Sequence, residues 1–386
     1  MKNKINPTLS DIEISGIRQF FNMISKYDDV VSLTIGQPDF ASPSHVKAAA
    51  IDALHNDRTT YTHNAGIIEL RKAISDYVKD RFNLNYAPED EIIVTVGASQ
   101  AIDITLRTII EPGDEVILPG PVYPGYEPLI KLAGATVKYV DTREHQFKLS
   151  AELIEQAITD KTKCVIMPYP SNPTGVSLTN EELQDISEVL LNNQIFLIAD
   201  EIYSELVYDT PHTSIASIEE VRDHVIVING VSKSHSMTGY RIGYLLAPDW
   251  LAKQILKVHQ YNVSCAASPS QYAALEAIQN GRSDPETMKK SYAERRKYVM
   301  ERLDQMGLDY VVPDGAFYIF PQFPDQSRST FDAAVDLVEN GGIALVPGSA
   351  FSTYGEGYVR LSYAYSLDTL KEGLDRLEEY LSRSSL

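Results

Sequence analysis

The sequence predicts an α/β fold: a mostly parallel central sheet sandwiched by helices, with a smaller α+β domain beside it. Three observations carry this expectation. From about residue 90, short and wholly apolar runs alternate with helical patterns, as strands buried on both faces do. After about residue 285 the rhythm changes to long charged helices and alternating strands. The chain has 386 residues, 44% of them hydrophobic and 23% charged. That is the composition of a globular protein with room for two domains.

The elements follow in order. Residues 1–30 read as an arm whose short amphipathic helix begins at Phe20-Phe21. Residues 31–35 alternate like a strand that joins the smaller domain, and Gly36-Gln37-Pro38-Asp39 is turn chemistry. Ser44 stands where a helix cap is needed. Residues 59–66 read as an exposed loop, and the next helix starts near Ile68. Strands are expected at 91–96, 115–118, 136–140, 164–167, 195–199, 225–228 and 242–247, each a compact apolar run. Helices fall at 101–110 and near 125–133, 150–158 and 180–191. Beyond residue 285, helices are expected near 286–306, 330–339 and 367–382, and strands at 343–346 and 358–363. The expected domains are an arm, 1–30; a large domain, 45–284; and a small domain built from 31–44 with 285–386.

Charge excludes some partners. Lys+Arg number 34 and Asp+Glu 53, a net charge of −19, which opposes binding to nucleic acid or an anionic membrane. Cys164 and Cys265 lie far apart and outside any CxxC pair, so neither a metal nor a disulfide is expected. The first residues carry no apolar signal region, and no stretch approaches the ~18 apolar residues of a membrane span. A cytoplasmic location is expected.

The chemistry sits at strand ends. Lys233 lies in a Gly-Ser-rich turn between the apolar runs 225–228 and 242–247. A lysine buried there would lose pKa and become nucleophilic; on a surface loop it would stay a solvated charge. Gly97-Ala98-Ser99 closes one strand and opens a helix, which offers free N–H groups to an anion. The segment is neither a Walker loop nor GxGxxG. Asp200 ends the run 195–199, either as a helix cap or as the partner of a buried cation. Tyr203 follows three residues on. Asn172 stands beside Pro173 in a rigid turn, and Tyr123 offers an aromatic face. Arg360 alternates with Val359 and Leu361, so it faces away from their core and wants a carboxylate. That carboxylate belongs to a substrate or to a structural ion pair.

Together, and in this order, several segments resemble the class I aminotransferases, fold-type-I enzymes dependent on pyridoxal 5'-phosphate. They are Gly36-Gln37-Pro38, Gly97-Ala98-Ser99-Gln100, Ser171-Asn172-Pro173-Thr174-Gly175, Asp200-Glu201-Ile202-Tyr203, Ser232-Lys233 with Arg241 eight residues on, and Arg360. The resemblance runs from about residue 12 to 380. It implies that Lys233 bonds the cofactor's aldehyde and later serves as general base. By the same resemblance Asp200 pairs with the pyridinium nitrogen, Asn172 and Tyr203 bind the ring oxygen, and Tyr123 stacks on the ring. Ala98, Ser99, Ser232 and Arg241 hold the phosphate, and Arg360 grips the substrate carboxylate beside Gly36 and Asn172. Tyr61 is expected to enter a partner's site, which implies a homodimer. Gly230 departs from the pattern, since many relatives carry a phosphate-binding serine there; Ser232 is expected to help cover the loss.

Runs at 12–18, 228–239, 257–265 and 346–357 resemble more closely the branch that transaminates N-acetyl-LL-diaminopimelate in lysine biosynthesis, with glutamate and 2-oxoglutarate as the paired substrates. Rival expectations are an aspartate or aromatic aminotransferase, or a cysteine-S-conjugate β-lyase. A ligand-sensing regulator would need a DNA-binding region, for which the arm before Val31 is too short. Arg18, or a residue from a partner's loop, is a candidate to read the substrate's far end. His235 is expected to have a packing role.

Overall fold

The computed structural model describes residues 4–384; residues 1–3, where the expected arm begins, and 385–386, where the expected small domain ends, lie outside the described residues. In chain order the strands are β1 (Val31–Ser32), β2 (Ile92–Thr95), β3 (Glu115–Gly120), β4 (Thr136–Asp141), β5 (Thr162–Met167), β6 (Phe196–Asp200), β7 (Val225–Gly230), β8 (Gly243–Leu246), β9 (Tyr318–Ile319), β10 (Ile343–Ala344), β11 (Val346–Pro347) and β12 (Val359–Ser362). The helices are α1 (Gly16–Ile24), α2 (Ser44–His55), α3 (Ile68–Phe82), α4 (Gly97–Ile109), α5 (Tyr126–Ala133), α6 (Ala151–Ala157), α7 (Asn180–Asn193), α8 (Val231–Ser234), α9 (Asp249–Val263), α10 (Ser268–Asn280), α11 (Asp284–Gln305), α12 (Thr330–Gly341) and α13 (Leu367–Ser384).

Seven strands form one sheet in the order β2-β8-β7-β6-β5-β3-β4. The strands from β3 to β7 pair in parallel, and β8 runs antiparallel to both of its neighbours. Alternate residues of each strand feed two cores, because a strand's side chains point to opposite faces. Val165, Leu197, Val225 and Val227 pack on one side; Ile166, Ile198, Ile226 and Ile228 pack on the other. Both sides are covered by helices, which explains the unbroken apolar runs.

The smaller core gathers Leu33, Phe317, Ile319, Ile343, Leu345, Leu361, Leu370 and Leu374. Residues 343–346 are two strands, not one: β10 pairs with β1, and β11 with β12. Leu345 lies between them and points into this core. The early strand does join the late region, as expected: Val31 and Ser32 pair with β10, and the Leu33 backbone bonds to Ala344 and Ser362.

Three helix starts differ from the expectation. α1 begins at Gly16, ahead of Phe20-Phe21, and buries Phe20 and Ile24. Its apolar residues Ile17, Phe20, Phe21 and Ile24 have the spacing of one helical face. α2 has Pro43 at its cap position and Ser44 as its first helical residue, with no side-chain cap. α4 begins at Gly97, not near Ala101. Gly97 has φ +74, a conformation open to glycine at little steric cost. That sharp turn brings the helix N-terminus directly to the end of β2.

Candidate active site

The carboxyl ends of β2, β5, β6 and β7 open on a cavity of about 800 Å³, the usual place for a ligand in an open α/β sheet. Gly36, Ala98, Ser99, Tyr123, Asn172, Asp200, Tyr203, Ser232, Lys233, Arg241 and Arg360 all line it. Residues predicted from seven separate stretches of sequence therefore meet in one space.

Lys233 is carried into the cavity by α8, a single turn that follows β7. Its Nζ donates to the Gly36 carbonyl at 2.6 Å. Burial, and then the nearby charges of Arg360 and Arg241, bring its ammonium down to about 8, against the opposing pull of Asp200. Below that pH the amine is protonated and unreactive; above it the amine is neutral and nucleophilic. In ligand-free protein, acylation of Lys233 is expected to reach half its maximal rate near pH 8, while exposed lysines continue to gain reactivity toward pH 10. Peptide mass spectrometry across a pH series measures both. A Lys233 profile that overlays the surface lysines contradicts the burial argument.

Gly230 is glycine for want of space. A Cβ there would lie 2.9 Å from both the Gly243 Cα and the Ile242 carbonyl. No serine fits at this position without moving β8, so the departure from the family pattern is built into the packing. Ser232 is buried at the cavity wall.

Asp200 ends β6 and is 7% exposed. Its Oδ2 accepts from the Tyr126 hydroxyl at 2.7 Å, and its Oδ1 from the Ile202 N–H at 3.2 Å. The local cap and the cavity-facing carboxylate are thus one residue. Burial pushes its pKa up to about 6, and the two hydrogen bonds hold it back from rising further. No ion pair among the described residues involves it. A buried carboxylate held only by neutral donors is suited to a cationic ligand.

The α4 N-terminus presents Gly97-Ala98-Ser99, where N–H groups lack helical acceptors and the dipole favours an anion. A Cβ on Gly97 would come within 2.2 Å of Arg241 Nη2. The missing side chain is what lets the guanidinium lie against the helix end. Arg241 is itself in the left-handed region, at φ 54, and donates through Nη1 to the Thr238 carbonyl at 2.9 Å.

Arg360 corrects the sequence reading in one respect. β12 is buried along its whole length, so neither of its faces meets water, and it is the central strand of the sheet β11-β12-β9. Arg360 is 2% exposed. It donates to Asn172 Oδ1 at 2.9 Å and to the Thr34 carbonyl at 2.7 Å, and lies over the Tyr318 ring at 4.3 Å. Among the described residues it forms no ion pair, which removes the structural salt bridge as its explanation. A buried guanidinium with only neutral partners leaves positive charge for a ligand carboxylate. Asn172, with its oxygen engaged, keeps its amide N–H groups for donation.

Tyr123 stands edge-on to Tyr126, with ring centroids 5.6 Å apart. Tyr203 shares a 2.9 Å hydrogen bond with the Tyr318 hydroxyl, and burial raises the pKa of both. Tyr126 and Tyr318 were not singled out from sequence. Tyr126 shares its segment with Tyr123, and Tyr318 sits in an apolar run that reads as plain strand. Two expected residues behave differently. Tyr61 is 86% exposed and away from the cavity of its own chain. His235 is buried between Ser234 Oγ at 2.8 Å and the Gly281 carbonyl at 3.1 Å, and burial takes its pKa down to about 4. It packs, and does not line the cavity.

The chain is similar to known proteins in sequence and in fold. Residues 28–377 match the family model described as aminotransferase class I and II. The chain is 60% identical over 381 residues to the probable N-acetyl-LL-diaminopimelate aminotransferase of Bacillus subtilis (strain 168), covering 99% of this chain and 96% of that protein. It is 40% identical to an aspartate aminotransferase of Pyrococcus abyssi, covering 96% of this chain and 97% of that one. The structure of Thermus thermophilus aspartate aminotransferase with maleate superposes with a TM-score of 0.92 at 34% identity, covering 97% of this chain and 99% of that one. Sequence, fold and the residues gathered at the strand ends agree: this chain belongs to the class I and II aminotransferases.

Proposed function

We propose that this aminotransferase uses pyridoxal 5'-phosphate to pass an amino group between glutamate/2-oxoglutarate and N-acetyl-LL-2,6-diaminopimelate and its keto acid, a step of lysine biosynthesis in the cytoplasm. One observation carries the chemistry. A single cavity holds an amine of lowered pKa, a buried carboxylate without an ion pair, and three guanidinium groups. The 60% identity to the Bacillus subtilis protein supports the substrate.

The residues fit the cofactor. The α4 N-terminus, Ser232 and Arg241 form an anion cradle that a Cβ at residue 97 would fill, suited to the phosphate. Asp200 supplies the charge a pyridinium nitrogen needs, Asn172 and Tyr203 supply donors, and Tyr123 supplies a ring face. Lys233 is the attachment point. When bound, the cofactor provides an electron sink for the carbanion formed at the substrate's α-carbon.

The chain's own groups do the rest. Arg360 holds the substrate's α-carboxylate and so fixes the direction of its α-hydrogen. The neutral Lys233 amine accepts that proton and returns it elsewhere as general acid. Burial lowers its pKa from the ordinary lysine value, which keeps more of the amine neutral and able to accept that proton. Burial of Asp200 and Arg360 keeps water from screening their charges.

On the same reading the protein is a homodimer whose exposed Tyr61 reaches the partner's phosphate site. The seven-stranded sheet is the basis of the proposed large domain, 45–284, and the two small sheets are the basis of the proposed small domain, 31–44 with 285–386.

The test is a substrate panel with 2-oxoglutarate as acceptor. N-acetyl-LL-diaminopimelate is expected to exceed aspartate and tyrosine in kcat/KM by at least about tenfold, the scale of one discriminating contact. A preference for aspartate or tyrosine replaces the substrate assignment. Release of pyruvate from a cysteine S-conjugate without any need for 2-oxoglutarate replaces transamination by a lyase reaction.

A further inference from the structure

We propose that Tyr318 is a positioning residue for both halves of the site: its hydroxyl aims the Tyr203 hydroxyl into the cavity, and its ring fixes the Arg360 guanidinium. The proposal rests on the transaminase reading above and deepens it. It ties the group that would meet the cofactor's ring oxygen to the group that would hold the substrate's α-carboxylate.

The local sequence shows why a tyrosine here is unusual. Phe317-Tyr318-Ile319-Phe320 is buried throughout, and Tyr318 has the only polar side-chain atom in the run. A buried phenol needs a hydrogen-bond partner. Here the partner is the Tyr203 hydroxyl, at 2.9 Å, and both tyrosines line the cavity. A hydroxyl both donates and accepts. When the Tyr318 O–H donates to Tyr203, the Tyr203 proton is left for a third acceptor, and each bond strengthens the next. The Tyr318 hydroxyl also lies against Gly36, where a Cβ would stand 3.1 Å from it. The Gly36 carbonyl is the acceptor for Lys233.

The ring has a second duty. Arg360 lies over it, with Cζ 4.3 Å from the ring centroid, and the Phe351 ring is 5.1 Å away. Arg360 donates to Asn172 and Thr34 through its two Nη atoms, while its buried Nε has no partner among the described residues. Two hydrogen bonds and a ring face therefore set the orientation of the guanidinium. β9 pairs with β12, the strand of Arg360, with Tyr318 opposite Ser362 and Ile319 opposite Leu361. The chain just before Tyr318 is pinned to the chain just after Tyr203. Gly315 bridges to Val207, and the Ala316 N–H donates to the Leu206 carbonyl at 2.8 Å. Backbone hydrogen bonds thus keep Tyr318 within reach of Tyr203 and Arg360 together.

Two variants separate the duties. Tyr318→Phe keeps the ring and removes the hydroxyl; Tyr318→Leu removes both. In the holoenzyme the visible absorbance is titrated against pH. A donor to the ring oxygen favours its anionic form, so weakening Tyr203 raises the pH midpoint. A rise of about 0.5 to 1 is expected in both variants. The titratable groups facing the pair are Asp200, Lys233, Tyr123, Tyr365 and Arg360, and both variants retain them. Calorimetry with glutarate reads the other duty. Tyr318→Leu is expected to weaken glutarate about 3- to 30-fold, and Tyr318→Phe by less than about twofold. If leucine does not fold, Tyr318→Met takes its place. An unmoved midpoint in Tyr318→Phe would overturn the hydroxyl's role, and unchanged glutarate binding in Tyr318→Leu would overturn the ring's. Equal weakening of glutarate by both variants would make Tyr318 a structural residue only. If the wild type takes up no chromophore, the transaminase reading fails, while glutarate binding to the cofactor-free protein still decides whether the ring holds Arg360.

Discussion

Lys233→Ala is expected to lower kcat with glutamate and 2-oxoglutarate by about four orders of magnitude. General acid–base catalysis alone accounts for about 10²–10⁴, and the variant also loses the attachment point of the cofactor. Loss of activity alone would not separate chemistry from misfolding, so two controls accompany it. Thermal unfolding should stay within a few degrees of wild type, since the residue is held by one hydrogen bond, to the Gly36 carbonyl. A small amine such as methylamine should restore part of the rate, because truncation leaves room in the cavity for a free base. Retention of more than about a tenth of the activity would remove Lys233 from the chemistry.

Asp200→Asn is expected to give the second largest loss. On the proposed reading its partner is the cofactor's pyridinium, and removing one member of a buried charge pair costs about 3–5 kcal/mol, which corresponds to roughly 10²–10⁴ in rate. The loss should be the same for glutamate, norvaline and the acetylated substrate, because on the proposed reading Asp200 would pair with the cofactor and not with the substrate's side chain. The ligand-free protein gives an independent signature. The folded-state pKa of Asp200 is raised to about 6 from an ordinary 3.8. Between those values the folded state binds more protons than the unfolded state, so this residue's contribution to stability falls as pH rises from about 4 to 6. Asp200→Asn should remove that slope in urea unfolding series. An unchanged slope would mean that Asp200 ionises in the folded protein as an ordinary carboxyl does.

Much of the site was legible before the structure, and the reason is physical. In a parallel sheet the ligand lies at the strands' carboxyl ends, so polar residues that interrupt or end apolar runs are already candidates. Lys233, Asp200 and Asn172 all sit there. Arg360 was found for a different reason, as a charge within a strand, and its surroundings were read incorrectly. Alternation assigns one face to water, but all four residues of β12 are buried and it has no wet face. Tyr126, Tyr318 and the Thr34 carbonyl could not be read locally. Each acts through a partner distant in sequence: Asp200, Tyr203 and Arg360 respectively. The early start of α4 was hidden because glycine is a poor helix former, although it is the residue that allows the turn. α1 was placed late because Phe20-Phe21 dominate the local hydrophobicity, while Gly16 is held by its approach to Ala350.

The central claim is that Lys233, Asp200, Arg241 and Arg360 together form a glutamate-linked transamination site. The most direct test is an absorbance spectrum of the purified protein with pyridoxal phosphate, recorded before and after glutamate and again after 2-oxoglutarate. A visible band that glutamate converts to the pyridoxamine form, and that 2-oxoglutarate restores, is the predicted result. A protein that takes up no chromophore even with excess cofactor would contradict the assignment of Lys233 and the mechanism built on it.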